Sequence, residues 1–254
     1  MKTENERAYV LHTRNYRETS QLVDLFSRDF GRLRTVAKGA RGKRKTGGHQ
    51  LQPFTPLLLS WRGKGDLKNL TGVETSGNRA LLYGEKLYIG LYLNELLMRL
   101  LPEHVPHESL FDHYSDLIVA LSESTDPEPL LRCFELLLLE EIGYGLNLTM
   151  EAAVDRPIKA GESYYFSAEQ GFMRADVFSP EAASESCFKG EELLAIASAD
   201  YRAMSVRRCA KRLLRGALQT QLGERPLLSR QLFRQAQIPT MEIGGADKGS
   251  ATWS

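Results

Sequence analysis

The sequence predicts an α+β protein of more than one domain: an N-terminal antiparallel β-barrel of the OB type, then a mostly α-helical domain carrying a small β-hairpin. Residues 8–75 alternate apolar and polar side chains in short runs that are separated by turns, a pattern typical of strands. Near residue 80 the apolar spacing changes to that of helices. A short return to alternation within residues 147–186 predicts the hairpin.

Five short strands are expected in the first domain, at residues 8–14, 19–27, 32–38, 53–61 and 67–74. The third shows the pattern best, because Leu33, Thr35 and Ala37 share one face. Its other face carries Arg32, Arg34 and Lys38, which we expect to point to solvent. Five strands with closely spaced turns suggest a small barrel, and an OB barrel presents one strand face and two loops to single-stranded nucleic acid.

The second domain is predicted to contain six helices, at residues 84–101, 109–121, 127–142, 191–199, 201–223 and 226–235. The first three are too apolar to be stable alone, so they should pack as a bundle. The hairpin is expected at residues 163–167 and 171–177. The predicted division is therefore a barrel domain at 1–80, a helical domain at 81–240 and a disordered tail at 241–254.

Charge is distributed unevenly along the chain although the formal net charge is only +1. Residues 1–80 carry 16 basic and 7 acidic side chains, residues 81–200 carry 7 and 22, and residues 201–254 carry 10 and 3. Basic ends around an acidic middle indicate a polyanionic partner for the basic parts. Mutual attraction between the parts explains the same partition without a partner.

The most basic stretch is residues 36–48, VAKGARGKRKTGG, which contains five cations and no acid. The acid-free window extends from Asp29 to Asp66. A glycine-rich loop of one charge sign favours a surface that binds a phosphate backbone. A basic hairpin tip without a partner is the alternative. The residues predicted to contact DNA in the barrel domain are Arg14, Arg32, Arg34, Lys38, Arg41, Lys43, Arg44, Lys45, Arg62 and Lys64.

Two further features are candidates for nucleic-acid contact. Aromatic residues interleave with the basic ones, at Tyr16, Phe26, Phe30, Phe54 and Trp61. An exposed ring would stack on a base, although core packing is the better interpretation for any single one, and Phe26 and Phe54 are expected in the core. A stripe at helical spacing, Arg208, Lys211, Arg212 and Arg215, either extends the phosphate track or pairs with the acidic middle.

Arg132 lies in an otherwise apolar helical segment, LLRCF. One interpretation is an ion pair with Glu135, three residues later on the same helix. The other is a cation at the rim of an apolar groove, which suits a peptide with hydrophobic side chains and a carboxylate.

No arrangement of residues typical of catalysis is present. The sequence lacks GxxxxGK[ST], GxSxG, HExxH and any CxxC pair, so we predict a binding protein that is not an enzyme and has no cofactor or metal. Three separated cysteines indicate a reducing compartment. With no apolar signal segment and no run of eighteen apolar residues, we expect a cytoplasmic protein without membrane contact.

Several segments together resemble the RecO family of bacterial DNA repair proteins, which are recombination mediators. They are YVLHTRNYRETSQLVDLF, GRLRTVAKGARGKR, LQPFTPLLL, LYIGLYLNELLMRLL, RCFELLLLEEIGYGLNL and RPLLSRQLFRQ, in that order. The resemblance implies an OB barrel, a helical domain, binding of single- and double-stranded DNA, and annealing of complementary strands. It also implies cooperation with RecR in loading RecA onto DNA coated by the single-strand-binding protein SSB.

The resemblance implies a second binding site on the helical domain for the acidic, Phe-ended tail of SSB, with Arg132 at the contacting position. Many family members also carry a four-cysteine zinc site after a segment that corresponds to GYG here. Residues 147–186 contain no cysteine, so no zinc should bind and packing alone must hold the hairpin. The competing hypotheses are an adaptor that docks proteins and contacts DNA only incidentally, and an RNA-binding OB protein.

Overall fold

The computed structural model describes residues 2–40, 50–152, 154–175 and 187–237. Its N-terminal part is a closed five-stranded barrel in the order β1-β2-β3-β5-β4, with β1 also paired to β4. The OB-type prediction is confirmed. The strands are β1 (Lys2–Tyr16), β2 (Ser20–Ser27), β3 (Gly31–Ala37), β4 (Leu57–Arg62) and β5 (Leu67–Thr75).

Two features of the barrel differ from the sequence-based prediction. The pair β3–β5 is parallel, whereas the other four pairs are antiparallel. The chain reverses direction twice between β3 and β5, so these two strands run the same way. Strand β1 is also longer than expected, because its charged first residues pair with β4 while its second half pairs with β2.

Apolar residues on both sides of the barrel wall are buried. Val10 and Leu25 point into the barrel and pack with Trp61. Their neighbours Leu11 and Phe26 point outward into the core of the helical domain. The two faces of β1 and β2 therefore divide the apolar side chains between two cores, because side chains of a strand point alternately to its two faces.

The helical domain contains six helices and five short strands among the described residues. The helices are α1 (Glu85–Leu100), α2 (Glu108–Glu123), α3 (Glu128–Glu141), α4 (Gly190–Ala197), α5 (Met204–Leu222) and α6 (Leu228–Gln237). The strands are β6 (Met150–Glu151), β7 (Arg156–Pro157), β8 (Ser163–Ser167), β9 (Gly171–Arg174) and β10 (Cys187–Lys189).

The predicted hairpin is present as β8 and β9, with β10 added to its edge. Its inner side is aromatic: Tyr164, Phe172 and Phe188 are all buried, and the last two rings meet edge to face with centroids 6.4 Å apart. Burial of three aromatic side chains supplies the stabilisation that a metal provides in other small domains.

Polar contacts fix the barrel against the helices. Asn94 of α1 donates a hydrogen bond to the carbonyl of Leu11 and accepts one from the Tyr114 hydroxyl, at 3.0 and 2.6 Å. Gly31 has a positive φ, and a Cβ there would lie 1.8 Å from the carbonyl oxygen of Val105. Glycine at this turn therefore allows the segment after α1 to approach the barrel closely.

Acidic side chains of the helical domain pair with basic ones of the barrel. Arg28 contacts both Asp112 and Glu108 of α2, and its Nη2 lies 3.0 Å from Asp112 Oδ2. The hydrogen bond from Arg28 is the main cause of the lowered pKa of Asp112. Part of the charge partition along the chain thus reflects attraction between the two domains.

Candidate nucleic-acid interface

One end of the barrel carries a concavity with a volume of about 670 Å³, which we call the barrel groove. Three segments converge on it: the end of β1 with the β1–β2 turn, the end of β3, and the start of β5. Its lining residues are Tyr16, Arg17, Glu18, Thr19, Ser20, Val36, Lys38, Gly39, Leu67 and Asn69. The groove lies between the β1–β2 turn and the start of β5, and OB barrels bind nucleic acid with a strand face and the loops beside it.

The exposed cations of the groove region are Arg17 and Lys38, with Lys64 in the turn that precedes β5. Glu18 lies on the same surface. Two residues separate Lys38 from the segment 41–49, which lies outside the described residues. Arg41, Lys43, Arg44 and Lys45, predicted to contact DNA, fall in that segment. Arg14 and Arg62 are exposed on the barrel but do not line the groove.

Two of the predicted DNA contacts, Arg32 and Arg34, do not project freely into solvent. Arg32 Nε donates to the carbonyl of Leu101 at 3.0 Å, and its Nη1 lies 3.0 Å from Glu103 Oε1. Arg34 Nε donates to Asp24 Oδ1 at 2.9 Å. The alternation of β3 places Arg32 and Arg34 on the outer face of the barrel, but the segment after α1 covers that face, so both are partly buried. Arg32 therefore takes part in the contact between the domains, whereas Arg34 pairs mainly within the barrel and its Nη2 lies 3.7 Å from Glu103 Oε1.

The aromatic candidates separate clearly by burial. Phe26, Phe54 and Trp61 are at most 2% exposed, and the partly buried Phe30 packs edge to face on Trp61 with centroids 5.4 Å apart. The expectation that Phe26 and Phe54 belong to the core is confirmed. Tyr16 alone among the five lines the barrel groove.

The basic stripe of α5 divides into two pairs with different surroundings. Arg212 stacks its guanidinium 4.5 Å from the centroid of the Phe188 ring and donates to the carbonyl of Cys187. Arg208 donates to the Met204 carbonyl one turn earlier. Lys211 and Arg215 instead line a second concave surface, which is about 390 Å³ and which we call the interhelical groove.

The interhelical groove lies between α1, α3, α5 and α6. Its walls are apolar and aromatic at Tyr88, Ile89, Tyr92, Leu131 and Phe233, and its cations are Arg132, Lys211, Arg215, Arg230 and Arg234. Three acids, Glu85, Glu128 and Glu135, also contribute. Helix α6 is held alongside α1 because Glu95 accepts hydrogen bonds from the backbone amides of Leu228 and Ser229, at 2.9 and 2.8 Å. A carboxylate at a helix N-terminus is stabilising.

Arg132 is 7% exposed and sits in a buried polar network at the wall of this groove. Its Nη1 lies 2.5 Å from Glu135 Oε2, and its Nη2 contacts Glu128 at 3.5 Å. Glu135 also accepts a hydrogen bond from the Tyr92 hydroxyl at 2.6 Å. Both interpretations of Arg132 therefore find support in the geometry: it forms the intrahelical ion pair, and it lines a groove.

The network controls charge inside the groove. Burial opposes the charge on Arg132 most strongly, but the carboxylates of Glu135 and Glu128 and the Tyr92 hydroxyl together outweigh it and raise the pKa of the guanidinium. Burial raises the pKa of the Tyr92 hydroxyl, and Glu135 raises it further. Arg132 thus stays a cation and Tyr92 a hydrogen-bond donor at neutral pH.

Sequence reasoning missed Arg230 and Phe233, which close the interhelical groove from α6. Arg230 places its guanidinium 5.2 Å from the centroid of the Tyr92 ring and donates to the Tyr92 hydroxyl at 3.1 Å. Phe233 meets Tyr88 edge to face, with centroids 5.5 Å apart. Their spacing of three residues, which places them on one face of α6, was the available signal.

Comparison with known proteins matches both halves of the chain to one family. The model described as "Recombination protein O N terminal" matches residues 1–79, and "Recombination protein O C terminal" matches residues 83–231. The chain belongs to the RecO family. A "DNA repair protein RecO" of Pseudomonas putida is 47% identical over 228 residues, covering 90% of this chain and 96% of the relative. A Haemophilus influenzae protein of the same name is 43% identical over 235 residues, which cover 92% of this chain and 98% of the relative.

The zinc site expected in many RecO-family members does not fit the residues present here. No cysteine occurs between residues 147 and 186. Within the described ranges, no group of three or more His, Cys, Asp or Glu side chains is arranged to hold a metal ion. Among all the residues that the structure describes, no helix has the length and apolar character needed to cross a membrane.

Proposed function

We propose that this RecO-family protein acts in DNA repair and recombination by binding single- and double-stranded DNA through the barrel groove and the adjoining basic segment. The observation that carries the proposal is the convergence of the β1–β2 turn, β3 and β5 on one concave surface, which Lys38 of the basic stretch 36–48 lines. Cations at such a surface bind phosphates irrespective of sequence.

Annealing of complementary strands follows from the same surface. Two single strands repel each other through their phosphates, and cations that neutralise both strands at once reduce this repulsion. No catalytic step is required, and we assign none. A protein of this kind would act at the bacterial nucleoid, in the cytoplasm.

Lys38→Ala with Lys64→Ala removes one lysine that lines the groove and one in the turn that precedes β5, and it is expected to weaken binding to oligo-dT about tenfold, since charge-assisted contacts are lost. Fluorescence anisotropy measures the affinity, and annealing of two labelled complementary strands should slow in parallel. The matched control is Lys159→Ala with Lys189→Ala, which removes two exposed lysines of the hairpin region. Equal affinities of the two variants would contradict the assignment of the groove.

The second proposed activity is recruitment: together with RecR, the protein helps to load RecA onto single-stranded DNA coated by SSB. The acidic, Phe-ended tail of SSB is proposed to dock in the interhelical groove. Support comes from the composition of the groove, which combines aromatic walls at Tyr88 and Phe233 with five cations. A peptide with an aromatic end and carboxylates needs both features.

The exposed cations of α5 provide the clean test of this docking site. Lys211→Ala with Arg215→Ala is expected to weaken an acidic, Phe-ended SSB-tail peptide about tenfold or more while leaving oligo-dT affinity unchanged. Arg208→Ala with Arg212→Ala, which removes two cations of the same stripe that do not line the groove, is the matched control. Peptide binding is measured by anisotropy and the fold by circular dichroism.

The outcomes also separate the alternative function, an adaptor with incidental DNA contact. Its supporting observation is the interhelical groove itself, whose lining residues all belong to the helical domain. If the Lys211/Arg215 variant loses peptide binding and the Lys38/Lys64 variant keeps full DNA affinity, the adaptor hypothesis is favoured. If oligo-dT affinity falls in the Lys211/Arg215 variant, α5 belongs to the DNA surface.

A further inference from the structure

We propose that Tyr16 is a stacking platform for an unpaired nucleobase in the barrel groove, and that Arg17 covers its ring until a base binds. The inference rests on the proposed DNA binding and adds to it a means of preferring single strands over duplex. It depends on Tyr16, Arg17, Leu67 and Lys38, which the fold brings together from the ends of three strands and the turns that follow them.

Tyr16 ends β1 at the mouth of the groove, where its side chain is half-buried. The next residue, Arg17, is exposed and has a φ of 53°, in the left-handed region that non-glycine residues rarely adopt. Its guanidinium carbon lies 5.2 Å from the centroid of the Tyr16 ring. The turn thus holds a cation over an aromatic ring at the groove surface.

Such an exposed cation–π contact is weaker than stacking of a base on an aromatic ring. A base entering the groove therefore displaces the guanidinium from the ring. The released guanidinium then pairs with a phosphate of the same strand, so the exchange gains a stacking contact and an ion pair.

The rest of the groove fits a nucleotide. Leu67 is 41% exposed, and it offers apolar surface in the groove that the β1–β2 turn also lines. Lys38 provides a phosphate partner on the same surface. Glu18, which also lines the groove, repels phosphate and so favours an orientation with the base toward the turn and the backbone toward Lys38.

A platform of this kind selects unpaired bases, because in a duplex each base is already stacked and paired. The cations bind phosphates of both forms, whereas Tyr16 gains a partner only from a single strand. Tyr16 should therefore contribute to affinity for single strands and little to affinity for duplex.

The test compares Tyr16→Leu, which keeps apolar bulk, with Tyr16→Phe, which keeps the ring. Tyr16→Leu is expected to weaken oligo-dT binding about 5- to 150-fold, while Tyr16→Phe binds as the wild type does. Duplex affinity and the salt dependence of oligo-dT binding should not change. Tyr83→Leu, at a tyrosine that is 71% exposed and outside the groove, is the matched control.

An abasic oligonucleotide of the same length separates base stacking from charge. The wild type should bind it more weakly than oligo-dT, and Tyr16→Leu should bind both alike. If Tyr16→Leu binds oligo-dT like the wild type while the Lys38/Lys64 variant is weakened, the platform is wrong and the DNA site stands. If neither variant is weakened, the DNA site itself is misplaced.

Discussion

Arg132→Ala is expected to lower the free energy of unfolding by about 3–5 kcal/mol, because it leaves a buried carboxylate without its cation. Glu135 is 1% exposed and would keep only the Tyr92 hydroxyl among the hydrogen-bond partners described above. Loss of the cation should cost less at Glu128, because its side chain is 31% accessible to solvent. Urea denaturation followed by circular dichroism measures the change.

The compensating variant is Arg132→Met with Glu135→Gln. It removes both charges, keeps an acceptor for Tyr92, and should recover most of the lost stability. If Arg132→Ala alone is as stable as the wild type, the ion pair contributes little to the free energy of unfolding. The expected instability also matters for function: loss of peptide binding in Arg132→Ala would not distinguish a lost contact from a disturbed groove. Lys211 and Arg215 are exposed, so their removal avoids this ambiguity.

The barrel was predictable from the sequence because its signal is local. The apolar run of β2 and the alternation of β3, with a turn between them, require no knowledge of distant residues. The first residues of β1 escaped prediction, since all six residues from Lys2 to Arg7 are charged or polar and their pairing with β4 is a long-range contact. The parallel pair β3–β5 is likewise a consequence of topology.

The binding surfaces were predictable only in part. The basic stripe of α5 was evident from its spacing, but its division between Phe188 and the interhelical groove depends on which elements pack on each side. Arg32 and Arg34 were assigned to solvent because the alternation of β3 cannot reveal that Glu103 lies over them. The interhelical groove combines residues more than one hundred positions apart, so its closure by Arg230 required the structure.

The salt dependence of oligo-dT binding tests the central claim, that the barrel end and its basic segment bind the phosphate backbone. We expect the combined replacement of Arg41, Lys43, Arg44 and Lys45 by alanine to weaken binding and to reduce the slope of log K against log salt by about 3 units. Each phosphate contact on a single strand contributes about 0.7.

The control removes four exposed cations from the other domain: Arg156, Lys159, Lys189 and Arg202. Both variants lose the same formal charge, so a difference between them reports location and not net charge. The measurement is a titration of fluorescent oligo-dT at several salt concentrations with the wild type and both variants. A slope that falls by about 3 units only in the basic-segment variant is the predicted result. An unchanged slope in that variant would contradict the account.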